Sequence, residues 1–122
     1  MSRAADVAAS ALEAAAGEQA DALVVAERSG LARFAASEVH QPTLIEDVVV
    51  ILRVARDGKI GLASTNRIEP EGLRELATRA GEAADSAPSD DDFPGLAEPE
   101  PLPEVAGCDD ATAELGPDDQ AR

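Results

Sequence analysis

The chain has 122 residues with 25 acidic against 10 basic side chains, a formal charge of −15, one Cys, one His, two Phe and no Trp or Tyr. Its size allows one small domain plus a tail, and an aromatic content of 2% with this charge offers nucleic acid neither stacking surface nor attraction, which excludes direct nucleic-acid binding. The longest aliphatic run, Val48 to Leu52, falls far short of the roughly 20 residues that span a bilayer, so no transmembrane helix and no membrane partner are expected.

The Ala-rich start is interrupted by Asp6 and Glu13 and carries only Arg3 as a basic residue, unlike an export signal. With the single Cys108 unable to form an internal disulfide, a cytoplasmic location is the expectation. From Arg3 to Ala16, the residues Ala4, Val7, Ala8, Ala11, Leu12 and Ala15 recur at three- and four-residue steps, which predicts a first helix stopped by Gly17 in the αL conformation. Two strands follow, Ala22–Arg28 and Leu31–Val39, with Ser29-Gly30 as their turn. A second pair, Ile45–Arg56 and Lys59–Ser64, is joined by Asp57-Gly58, whose residue types suit the positive φ angles of a type I′ turn. Pro70 fits the first turn of a helix, and the spacing of Leu73, Leu76, Ala77, Ala80 and Ala84 carries that helix to about Ser86.

Helix, four strands, helix predicts an α+β domain: an antiparallel β-meander of about four strands with two helices packed on one face, followed by an extended tail rich in Pro and acid. The division is expected near Pro88. Residues 1–88 hold 14 acidic and 9 basic side chains, a net of −5, whereas residues 89–122 hold 11 and 1, a net of −10. Five of the eight prolines fall between Pro88 and Pro103, where missing N–H groups disfavour helix and central strand. The expected organisation is thus an α+β domain over 1–88 and an acidic linker, or the start of a following domain, over 89–122.

Three segments carry a resemblance: Phe34-Ala35-Ala36-Ser37-Glu38-Val39-His40-Gln41, then Asp57-Gly58-Lys59-Ile60-Gly61-Leu62-Ala63-Ser64-Thr65-Asn66, then Asp92-Phe93-Pro94-Gly95-Leu96-Ala97. In order and spacing, from about Ala20 to Val105, they resemble the N-terminal domain of the TldD/PmbA (TldD/TldE) metallopeptidases, a family once described as modulators of DNA gyrase. The resemblance implies an HExxxH helix in a later domain, where two histidines and a distant cysteine hold zinc and the glutamate activates water. This chain has no HExxxH, so no catalytic, cofactor-binding or metal residue is assigned to it; zinc is implied only for the full-length peptidase type. The segment Asp109–Arg122 resembles the approach to the next domain's first helix, with Pro117 in an opening turn. The expectation is a truncated, split or fragmentary family member.

Each remaining candidate has a plainer reading. His40 with Glu38 offers an acid–base or metal pair without a third ligand, and a structural or surface role is expected. Acidic Asp109 and Asp110 disfavour a thiolate at Cys108, so an inert thiol is expected. The run Ser89-Asp90-Asp91-Asp92 lacks the alternating ligands, central Gly and terminal Glu of a calcium loop and reads as a solvated linker. Thr65 and Asn66 read as a strand-to-helix turn and Gly61 as a bulge or close backbone approach. Two functions follow. One is a substrate-handling and assembly domain of a TldD/PmbA-type zinc peptidase, offering a sheet edge to an extended peptide, to a second TldD/PmbA-type subunit or to missing C-terminal domains. The other is a free-standing acidic protein-interaction module without peptidase activity.

Overall fold

Alternating apolar residues, β-branched chiefly in the second long strand, build the sheet, and two periodic helices cover one of its faces. The computed structural model describes residues 3–15 and 19–122. Its main elements are α1 (Arg3–Ala14), β1 (Gln19–Ala35), β2 (Glu38–Arg56), β3 (Lys59–Thr65) and α2 (Pro70–Ser86), followed by the short helices α3 (Asp110–Ala113) and α4 (Pro117–Gln120). The stop at Gly17 lies outside the described residues.

The sheet has three strands in the order β1-β2-β3, not the four expected. The correction lies at Ser29-Gly30: β1 runs straight through it, and the chain reverses at Ala36-Ser37, with φ angles of 53° and 63°. Gly30 does not take a positive φ, so nothing bends the strand there. The Asp57-Gly58 turn stands where the sequence predicts it, with φ of 49° and 71°, and sets the antiparallel register Arg56↔Lys59, Val54↔Gly61, Leu52↔Ala63 and Val50↔Thr65. Gln41, at φ 50°, adds a further left-handed residue within β2, just before Pro42.

Opposed residues of an antiparallel pair share a face, so Val50, Leu52 and Val54 point with Ala63 and Gly61 toward the helices. Those three aliphatics are fully buried against Leu73, Leu76, Ala77 and Ala80 of α2 and Ala11 of α1, with Ala20, Ala22 and Val24 packed alongside. Burying a side chain such as Leu52 or Leu76 contributes about 1.5–3 kcal/mol. Helix α2 matches its predicted span. Pro70 opens it, where the missing N–H costs nothing, and the Ala87 N–H donates to the Ala84 carbonyl at 3.1 Å just before Pro88 ends it. Helix α1 buries only Ala11 completely, while Leu12, on the predicted stripe, stays 41% exposed.

The chain forms two compact units, residues 1–26 with 47–98 and residues 27–46 with 99–122. The first contains the helix–sheet core. The second comprises the hairpin end of β1 and β2, where Arg28 pairs with Glu46 at 3.3 Å, together with α3 and α4. In α3 the Asp109 carboxylate accepts the Thr112 N–H at 2.7 Å, a bond that holds its pKa below the ordinary value. Pro117 opens α4.

Candidate functional site

Two features of the first unit stand out: the sheet face turned away from the helices, and the segment that returns to the β2–β3 turn after α2. Alternation puts Asp21, Leu23 and Val25 of β1 on the outer face with Ile51 and Arg53 of β2 and Ile60 and Leu62 of β3. Leu23 is 59% exposed, Val25 50% and Leu62 60%, and Ile60 also stands open. Among them Arg53 Nε donates to both Asp21 oxygens, at 3.2 and 3.1 Å, and its Nη2 pairs with the same carboxylate. That hydrogen bonding, with the charge of Asp21 next, holds the Arg53 guanidinium above its ordinary pKa. An aliphatic patch around an internally neutralised pair suits a protein surface better than a charged ligand.

The two edge strands, β1 and β3, differ in length, 17 residues against 7. Strand β3 pairs with β2 only from Val50 to Arg56, and just beyond, the Asp47 carboxylate accepts the Val48 N–H at 2.8 Å. Strand β1, first in the sheet order, contains no proline.

The returning segment meets the turn. Ser89 Oγ donates to the Asp57 carbonyl at 3.1 Å, the Asp90 N–H to the Gly58 carbonyl at 2.9 Å and the Leu96 N–H to Gln19 Oε1 at 3.0 Å. Between them lies an open cleft of about 440 Å³ whose lining includes Arg56, Asp90, Asp91 and Phe93. Arg56 is paired with Asp85 at 3.4 Å. Thus the acidic run does more than remain solvated: Ser89 and Asp90 fasten it. The structure also brings together the second resemblance segment, at Asp57-Gly58, and the approach to the third, at Asp92–Ala97.

The other sequence candidates stay apart. His40 and Glu38 are exposed on β2 in the second unit; Cys108, in the same unit, is exposed in the irregular segment before α3, its Sγ 3.9 Å from Asp110 Oδ1. Among the described residues no three His, Cys, Asp or Glu side chains converge as metal ligands. Thr65 Oγ1 accepts the Arg67 N–H at 3.1 Å and so turns the strand toward the helix. Arg67 then reaches Glu69 at 2.6 Å and Glu75 at 2.8 Å. Gly61 serves the close approach: a Cβ there would strike the Ala80 carbonyl oxygen and the Ala84 amide nitrogen of α2. Sequence reasoning missed Gln19 and the Asp21–Arg53 pair because their partners lie far along the chain and leave no local pattern.

The fold and surfaces define an α+β domain with one helix-covered sheet face, one open face and, among the described residues, no metal-ligand cluster. Residues 20–84 match the family model described as PmbA/TldA metallopeptidase domain 1, and the chain belongs to that family. The crystal structure of TldE from Thermococcus kodakarensis superposes with a TM-score of 0.76 at 21% identity, over 93% of this chain. The chain spans 25% of that protein's length, and the likeness concerns the fold alone. No match was found among curated proteins. Among the described residues no helix is long and apolar enough to cross a membrane.

Proposed function

We propose that this chain is the substrate-handling and assembly domain of a TldD/PmbA-type metallopeptidase, acting in the proteolysis of peptides or unfolded segments whose chemistry is carried by other residues than these. The observation that carries the reading is the open outer face of Leu23, Val25, Ile60 and Leu62, with Ile51 half-buried among them, beside the proline-free strand β1. The apolar face suits a second TldD/PmbA-type subunit or a later domain, and the strand edge suits an extended peptide, held through main-chain hydrogen bonds without sequence preference. TldE is the name borne by the structural relative, and a paired TldD/TldE-type assembly is the partner class that name suggests.

The test mixes the whole chain with purified TldD- and PmbA-type subunits from the same source and follows complex formation by sedimentation. A complex with the parent, lost in Leu62→Lys while far-UV circular dichroism is unchanged, supports the reading. Equal binding by both forms, or no complex at micromolar concentration, counts against it.

A second reading, a free-standing acidic interaction module, draws on the net of −10 in residues 89–122. A basic protein captured with strong salt dependence through those residues, together with no affinity for a family subunit, favours it.

A further inference from the structure

We propose that Ser89–Leu96 is a clasp, a segment that fastens the β2–β3 turn to the first residue of β1 and opens as one cooperative unit, separately from the helix–sheet core. Its two ends are tied to places distant in sequence. Ser89 and Asp90 hold the carbonyls of Asp57 and Gly58, and Leu96 holds the side chain of Gln19, 77 residues away. Between the ties the segment is internally braced, because the Phe93 N–H donates to the Asp90 carbonyl at 3.2 Å and the Asp92 N–H to Asp90 Oδ1 at 3.0 Å.

Both tied points are shaped by glycine. Gly58 has φ +71°, and a Cβ there would sit 2.8 Å from the Asp90 carbonyl oxygen. Gly95 has φ +92°, and a Cβ there would sit 3.1 Å from Gln19 Oε1. The clasp has reason to open as a unit because each tie orders the chain for the other, so losing one returns conformational entropy to the whole segment. It opens below the cost of global unfolding because its ties are exposed hydrogen bonds and it contributes no fully buried apolar side chain. Gln19 is thereby a positioning residue for the start of β1, whose edge the proposed function assigns to a peptide; the clasp itself does not depend on that reading.

Amide exchange measured by NMR on the full chain tests the clasp. In the parent, the Asp90 and Leu96 amides are expected to be protected to a similar degree, and less than that of Leu52. In Gln19→Ala the Leu96 amide loses its acceptor, and the Asp90 amide at the other end is expected to exchange on the order of tenfold faster while Leu52 is unchanged. Gly95→Val should reproduce that pattern through backbone strain at positive φ and crowding of the Gln19 side chain, with Gln19 itself unsubstituted. Three results overturn the proposal: Leu96 released alone with Asp90 unaffected, no protection at either amide in the parent, or Leu52 accelerated equally with both.

Discussion

A Cβ at Gly61 would compete for space with backbone, not with a side chain that can swing aside. The Ala80 carbonyl and the Ala84 amide belong to the C-terminal half of α2, and moving them means moving that part of the helix off the sheet. Gly61→Ala should therefore destabilise by about 3 kcal/mol, at the upper end for overpacking, even though it adds one carbon. Gly58→Val combines strain at positive φ with a collision against Asp90 and should cost on the order of 1–3 kcal/mol from the φ angle alone. Asp91→Asn is the contrasting case: its side chain is exposed, and the change should stay within about 0.5 kcal/mol. Urea denaturation followed by far-UV circular dichroism ranks the three. A Gly61→Ala midpoint equal to the parent's would mean that helix and strand do not approach as closely as the structure places them.

At the scale of elements, the two hairpin turns show what a sequence can reveal. Asp57-Gly58 announces itself because its residue types meet the positive φ angles of the turn at low cost, and both the turn and the register follow. Ala36-Ser37 adopts the same region with residues that pay for it, so local chemistry pointed instead to Ser29-Gly30 and split one strand into two. Replacing Ala36-Ser37 by Asn-Gly should therefore stabilise the chain by about 1–2 kcal/mol, read as a higher urea midpoint. Helix α2 was legible for the opposite reason: its periodic Leu73, Leu76, Ala77, Ala80 and Ala84 are the residues that become buried, so pattern and packing agree. The candidate surfaces were less legible, since the outer face and the Gln19 tie exist only once distant strands are side by side. The β3–α2 connection yields a pH prediction. Hydrogen bonding to its own backbone N–H, with Arg67 adding to it, holds the Glu69 carboxyl below its ordinary value. A lowered folded-state pKa contributes stability above the unfolded value, and that contribution is lost as pH falls through the folded one. Stability should thus decline with acid below the ordinary glutamate value of 4.5, and less steeply in Glu69→Gln than in the parent. Parallel acid titrations of the two proteins would contradict it.

For the whole molecule the dominant electrostatic fact is the imbalance of charge, and it opposes the ion pairs just described. Arg53–Asp21, Arg67–Glu69, Arg67–Glu75 and Arg28–Glu46 join substantially exposed side chains. Exposed pairs of this kind are worth about 0–1 kcal/mol each and are weakened by salt. Against them stands a net charge of −15 on 122 residues, whose mutual repulsion is partly relieved whenever the chain expands. Screening acts on both, but the pairs are in contact, whereas much of the repulsion acts across separations near or beyond the Debye length, where salt removes it most completely. Repulsion should therefore lose more than attraction. Raising sodium chloride from about 0.02 M to about 0.5 M, which shortens the Debye length from roughly 20 Å to under 5 Å, should shift the urea midpoint upward. The gain should shrink in a variant with Asp90, Asp91 and Asp92 all changed to Asn, because less repulsion is left to screen. A midpoint that falls with salt in the parent would mean that the exposed pairs, not the acidic excess, govern the stability of the chain.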